Sequence, residues 1–212
     1  MKTAIIGSGV ICDYNLIAEE IKTCDFIICA DGGIRHLDEM NIAPDVVIGD
    51  FDSCKFDYIK NLPIIKDSKI IKHNPVKDDT DMQLCIDYAL ENGADYIVMF
   101  ASLGGRIDHE LSNIFHLEYI NNKGVAGMVF SEKNRIYLTT SSMTLKKIPD
   151  FKMSVISLAE KSEGVSLLGV YYPLDNATLV RGSSLGISNE IVDPQAEITV
   201  KKGALLVFHS KD

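Results

Sequence analysis

Along roughly the first 130 residues, short apolar runs recur at regular intervals. They fall at 4–6, 26–30, 46–48, 70–72 and 96–100, each bounded by Gly, Asp, Asn or Ser. Continuous apolar runs of this length, without polar alternation, are the mark of strands buried on both faces. Between them the spacing turns helical, near 15–22, 34–40, 55–61, 80–92 and 108–121. The segment 80–92 is the best marked. Thr80 and Gln83 have the spacing of a capping box, and Leu84, Cys85, Tyr88 and Ala89 form one apolar stripe. Gly93 follows as a stop signal. This alternation predicts a Rossmann-like α/β domain, a mostly parallel sheet flanked by helices. Ligands of such sheets bind beyond the carboxyl ends of the strands.

The pattern changes after about Phe130. Runs at 135–140, 153–158, 164–168, 177–180, 197–200 and 204–208 are short, lack helical segments between them, and are separated by Gly, Pro, Asn and Ser clusters. They predict a smaller all-β domain, a sandwich or barrel. The expected division is an α/β domain over 1–131 and a β domain over 132–212.

Composition narrows the classes. At 46% hydrophobic and 8% aromatic, the chain has a globular balance, well away from disorder. A net charge of −9 repels nucleic-acid phosphates and anionic lipid, so neither nucleic acid nor membrane is an expected partner. Cys12, Cys24, Cys29, Cys54 and Cys85 form no C-x-x-C pair, which argues for reduced thiols and a cytoplasmic location rather than a disulfide framework or zinc. The first apolar run stops at Gly7-Ser8-Gly9, too short for a signal peptide or a membrane helix.

The candidate chemistry lies in aspartates at the predicted strand ends. Asp31 follows one strand in Ala30-Asp31-Gly32-Gly33. Asp50 and Asp52 follow the next, in Gly49-Asp50-Phe51-Asp52-Ser53. Asp78, Asp79 and Asp81 open the helix at Thr80, and Asp108 opens another after Gly104-Gly105-Arg106. In a parallel sheet these segments share one edge, and clustered carboxylates require a cation or raised pKa values. Hard oxygen ligands without His or Cys favour Mg²⁺. Gly104-Gly105 is able to offer backbone N–H groups to an anion, and Arg106 a bidentate phosphate contact. No G-x-x-x-x-G-K-[ST] and no G-x-S-x-G occurs, and Gly7-Ser8-Gly9 is an incomplete dinucleotide fingerprint.

These motifs, in this order, resemble the thiamine pyrophosphokinase family. The resemblance rests on Ala30-Asp31-Gly32-Gly33, Gly49-Asp50-Phe51-Asp52-Ser53, Lys77-Asp78-Asp79-Thr80-Asp81 and Leu103-Gly104-Gly105-Arg106-Ile107-Asp108-His109. Tyr171-Tyr172-Pro173-Leu174 and Gly186-Ile187-Ser188-Asn189-Glu190 extend it towards the C-terminus. It implies an ATP-binding α/β domain, a thiamine-binding β-sandwich and a homodimer with active sites at the interface. The implied reaction transfers the diphosphate of ATP to the hydroxyl of thiamine, releasing AMP. The implied Mg²⁺ ligands are Asp50, Asp52 and Asp81. Asp31, Gly32, Gly33, Lys77, Thr80, Arg106 and His109 would line the ATP site, with Asp81, Arg106 and Asp108 catalytic. Ser188 and Asn189 would face thiamine; Asn113 also matches. Alternatives at this stage are a pyrophosphokinase for another alcohol such as a hydroxymethyl pterin, or a glycosyltransferase holding a metal on Asp50-x-Asp52. A non-catalytic nucleotide- or thiamine-binding regulator is a further alternative.

Overall fold

A computed structural model describes residues 1–51, 59, 61–74 and 79–212. The chain forms two compact units, Met1–Glu132 and Lys133–Asp212.

Among the described residues the first unit holds six strands: β1 (Lys2–Ile6), β2 (Phe26–Ala30), β3 (Val46–Gly49), β4 (Lys69–Lys72), β5 (Tyr96–Phe100) and β6 (Ala126–Phe130). Every pairing among them is parallel, in the order β4-β3-β2-β1-β5-β6. Ala4, Ile5, Ile6, Ile28, Cys29, Val47 and residues Ile97 to Phe100 are fully buried, as unbroken apolar runs require of strands covered on both faces. The helices α1 (Tyr14–Ile21), α2 (Ile34–Met40), α3 (Asp81–Glu91) and α4 (Ile107–Asn122) supply that cover. The chain builds outward from β1 to β4, then returns to place β5 on the other side of β1. That reversal of order creates a crevice beyond the carboxyl ends of β1 and β5.

Local signals set the helix ends. Asp13 caps α1 by accepting from Leu16 N at 3.1 Å. Thr80 caps α3 by accepting from Gln83 N at 3.2 Å. The expected capping box is made only on this side: Gln83 reaches forward to the carboxylate of Asp87, one turn on, at 3.1 Å. The predicted helix at 55–61 lies largely outside the described residues.

The second unit is a β-sandwich. One layer is antiparallel β7 (Asn134–Thr139), β13 (Leu205–Ser210) and β9 (Lys152–Ser157), in that order. The other is β11 (Leu174–Val180), β10 (Lys161–Leu168), β12 (Gln195–Thr199) and β8 (Ser142–Lys146). Alternate residues point inward: Met153 and Val155, Val165 and Leu167, Ala196 and Ile198, Leu205 and Val207 share one core. Strands β6 and β8 had no expectation from the sequence. Ala126 and Gly127 weaken the β signal of the first, and the second buries only Leu145.

His209 on β13 is 1% exposed, and neither ring nitrogen has a hydrogen-bond partner among the described residues. Its ring meets Phe151 edge-on at 5.1 Å. Burial, and secondarily Arg135, holds its pKa down at about 4 from an ordinary 6.5. Between those values the unfolded chain binds a proton that the folded chain refuses, so stability falls as pH drops through that window. Denaturant unfolding should show a loss on the order of 1–2 kcal/mol from pH 7 to pH 5. The slope should be flatter in His209→Leu.

Candidate active site

Three segments meet at the carboxyl edge of the parallel sheet. After β2 the chain makes a single 3-10 turn, Asp31–Gly33. A Cβ on Gly33 would lie 2.3 Å from Ile6 O, so only glycine lets this turn press against the end of β1. At the end of β3, a Cβ on Gly49 would lie 2.8 Å from Asp31 Cβ. This close approach sets Asp50 beside Asp31. Asp81 arrives from the first turn of α3, where the Thr80 cap fixes the helix start.

Asp31, Asp50 and Asp81 therefore converge: one carboxylate oxygen of each lies within 4.8 Å of the others. At an effective dielectric near 20, two unit charges no more than that far apart repel by at least roughly 3.5 kcal/mol. Oxygen donors of this hardness fit a divalent cation such as Mg²⁺. The sequence reading gave Asp31 to the nucleotide; the fold makes it a member of the carboxylate cluster. Asp52, the other expected ligand, and Lys77 lie outside the described residues.

The strand ends here are strained. Asp31, Phe51 and Ala101 have φ values of 35°, 62° and 47°, in the left-handed region that side chains disfavour. They lie just beyond the ends of β2, β3 and β5. The hydrogen bonds from Gly7 N to Phe100 O (2.9 Å) and from Gly9 N to Ala101 O (2.6 Å) tie the loop after β1 to the loop after β5.

The crevice itself is a cleft of about 400 Å³, within the usual range for small-molecule sites. Of the expected residues, Asp31, Thr80, Asp81, Arg106 and His109 line it. Gly32 and Gly33 are buried in the same turn as Asp31, and Asp108 is exposed and paired with Arg106. Gly7-Ser8-Gly9, which the sequence offered only as an incomplete dinucleotide fingerprint, lines the cleft, as do Ser102 and Ser112, which nothing in the sequence marked. A glycine pair at the end of the first strand was the available signal. Asn113, which matched the motif, also lines the cleft and donates to Ser102 O at 2.8 Å.

The Arg106 guanidinium forks onto Asp108, Nε to Oδ1 at 3.1 Å and Nη2 to Oδ2 at 2.6 Å. That hydrogen bonding holds the Asp108 carboxyl below the ordinary carboxylate range and raises Arg106. Gly104 and Gly105 were expected to offer N–H groups to an anion. The anion they hold is internal: both donate to Glu110 Oε1, at 3.0 and 2.7 Å.

In the second unit, Ser188 has φ 57° and its N–H donates to Ser154 Oγ at 3.0 Å. Asn189 is 2% exposed. Its Oδ1 accepts from Tyr172 N and Glu190 N, both at 2.9 Å, and its Nδ2 donates to Tyr172 O at 2.8 Å. A groove of about 470 Å³ lies over Leu174, Leu185 and Ile187, with Tyr172 and Asn189 also lining it.

Comparisons with known proteins agree on one family. The domain described as "Thiamin pyrophosphokinase, catalytic domain" matches residues 17–129, and "Thiamin pyrophosphokinase, vitamin B1 binding domain" matches 142–205. Thiamine pyrophosphokinase of Bacillus subtilis (strain 168) is 30% identical over 187 residues, 87% of each chain. Thiamine pyrophosphokinase 1 of Oryza sativa subsp. japonica is 26% identical over 201 residues, 81% of this chain and 74% of the relative. The crystal structure of the Bacillus subtilis enzyme superposes with a TM-score of 0.88 at 28% identity, covering 100% of both chains. That of thiamin pyrophosphokinase from Geobacillus thermodenitrificans gives 0.86 at 28% identity, covering 100% of this chain and 98% of the other. A second domain described by vitamin B1 binding favours thiamine over the pterin and nucleotide-sugar readings.

The carboxylate cluster makes a direct prediction. Millimolar Mg²⁺ or Mn²⁺ should raise the melting temperature of the unmodified chain, and Asp50→Asn should lose most of that rise. Equal responses in both proteins would remove Asp50 from a cation site.

Proposed function

The chain belongs to the thiamin pyrophosphokinase family and is a diphosphotransferase, and on that premise we propose how its residues carry the reaction. ATP occupies the cleft of the first unit and thiamine is the acceptor. The thiamine hydroxyl oxygen attacks the β-phosphorus. A new O–P bond forms while the bond from that phosphorus to the oxygen bridging to the α-phosphate breaks. AMP leaves with that oxygen, and thiamine diphosphate results. Such a transition state is loose, so catalysis is chiefly positioning and charge neutralisation.

The observation that carries this reading is the convergence of Asp31, Asp50 and Asp81 beside the cleft. These three, with Asp52, would hold Mg²⁺, which when bound neutralises charge on the phosphate chain. Arg106 and Lys77 meet phosphate oxygens, and Thr80 and His109 border the nucleotide. Gly32 and Gly33 keep Asp31 in place. Asp108 holds the Arg106 fork. Asp81 and Asp108 are the two candidate acceptors of the hydroxyl proton. Ser188 and the groove beside Tyr172 take thiamine, with Asn189 bracing the Tyr172 backbone.

The working assembly in this reading is a homodimer with active sites at the subunit interface. Ile107, Leu111 and Phe115, spaced four apart on α4, are 74%, 48% and 45% exposed, an apolar stripe suited to a second copy. The proposed location is the cytoplasm. Cys12, Cys24, Cys29 and Cys85 form no disulfide with one another.

Incubation with ATP, Mg²⁺ and thiamine should yield AMP and thiamine diphosphate in equal amounts. Formation of ADP, or no product, would contradict the reading. Asp81→Asn should lower kcat by at least about a hundredfold with the melting temperature retained. Leu111→Glu should shift the sedimenting species from dimer to monomer; an unchanged dimer would place the interface elsewhere.

A further inference from the structure

The loop that presents Arg106 is held by the helix that follows it. Glu110, in the first turn of α4, reaches back so that a single oxygen, Oε1, accepts from both Gly104 N (3.0 Å) and Gly105 N (2.7 Å). One turn on, Asn113 Nδ2 donates to Ser102 O at 2.8 Å. On its other side the loop rests on the Gly7–Val10 segment: Val10 N donates to Leu103 O at 2.9 Å. Gly104 has φ +87°, and a Cβ there would lie 2.7 Å from Val10 Cβ, so the loop has no room to relax in that direction. Glu110 lines the same cleft as Arg106.

A carboxylate in a cleft that receives a polyanion is unfavourable unless it is committed elsewhere. Two charge-assisted hydrogen bonds commit this one. We propose that Glu110 is a positioning residue: it fixes the Gly104-Gly105 backbone so that Arg106 is pre-aimed at the phosphate chain. The catalytic half of this inference rests on the phosphate role proposed for Arg106. The requirement is for an acceptor atom at the position of Oε1 and not for negative charge. The amide oxygen of Gln meets it, the side chain of Ala does not, and that of Asp is one methylene short.

The test compares the unmodified full chain with Glu110→Gln, Glu110→Ala and Glu110→Asp. In steady-state assays with ATP, Mg²⁺ and thiamine, Ala and Asp should lower kcat/KM for ATP by about ten- to hundredfold. KM for thiamine should stay unchanged, and Gln should remain close to the unmodified chain. Amide hydrogen exchange at Gly104 and Gly105 should accelerate in Ala and not in Gln, with melting temperatures alike. An Ala variant with unaltered kcat/KM for ATP, or unaltered exchange at both glycines, overturns the proposal. So does a Gln variant as impaired as Ala. If the unmodified chain releases no AMP, the functional reading fails, and amide exchange still decides whether Glu110 braces the loop.

Discussion

Three carboxylates drawn within 4.8 Å of one another repel, and the sheet has to hold them there. Parallel strands solve the problem geometrically. β2 and β3 end side by side, and α3 starts at the same edge, so separate stretches of chain deliver Asp31, Asp50 and Asp81 without any of them being neighbours in sequence. The cost appears as local strain. Asp31 and Phe51 take left-handed backbone conformations, and Gly33 and Gly49 are pressed so close to neighbouring atoms that no side chain fits. A cation on the cluster would offset the repulsion and give the strain a use, since preorganised charge is what a phosphate chain needs at the moment of transfer.

Around that cluster the second set of contacts is self-bracing. The Arg106–Asp108 fork, the Glu110 carboxylate and the Asn113 amide all act on the short loop between β5 and α4. The Gly7-Ser8-Gly9 loop is tied to the same segment through Ala101. The two loops flank the point where the strand order reverses, which is why the cleft lies there and not over another pair of strands.

Much of this was legible in the sequence. Unbroken apolar runs marked β2 and β5 to the residue, because parallel strands buried on both faces have no polar alternation to blur them. The sandwich was legible from short runs without helical spacing. β6 and β8 were not, since Ala126-Gly127 and the single buried Leu145 carry too little apolar signal. The aspartates were legible as a group, because four strand-to-helix junctions each offered at least one. That Asp31 lies beside Asp50 and Asp81 was not. Asp31 joins the cluster through contacts of Gly33 with β1 and of Gly49 with Asp31, and such long-range approaches leave no trace in local spacing. Glu110 was illegible for a related reason: a lone glutamate in a first helical turn reads as ordinary surface until the loop folds back onto it.

The most direct measurement is anomalous diffraction from crystals of the chain grown with Mn²⁺ and a non-hydrolysable ATP analogue. A manganese peak bonded to oxygens of Asp31, Asp50 and Asp81 and to the phosphate chain of the analogue is expected. A peak elsewhere, with these three carboxylates turned away from the nucleotide, would contradict this.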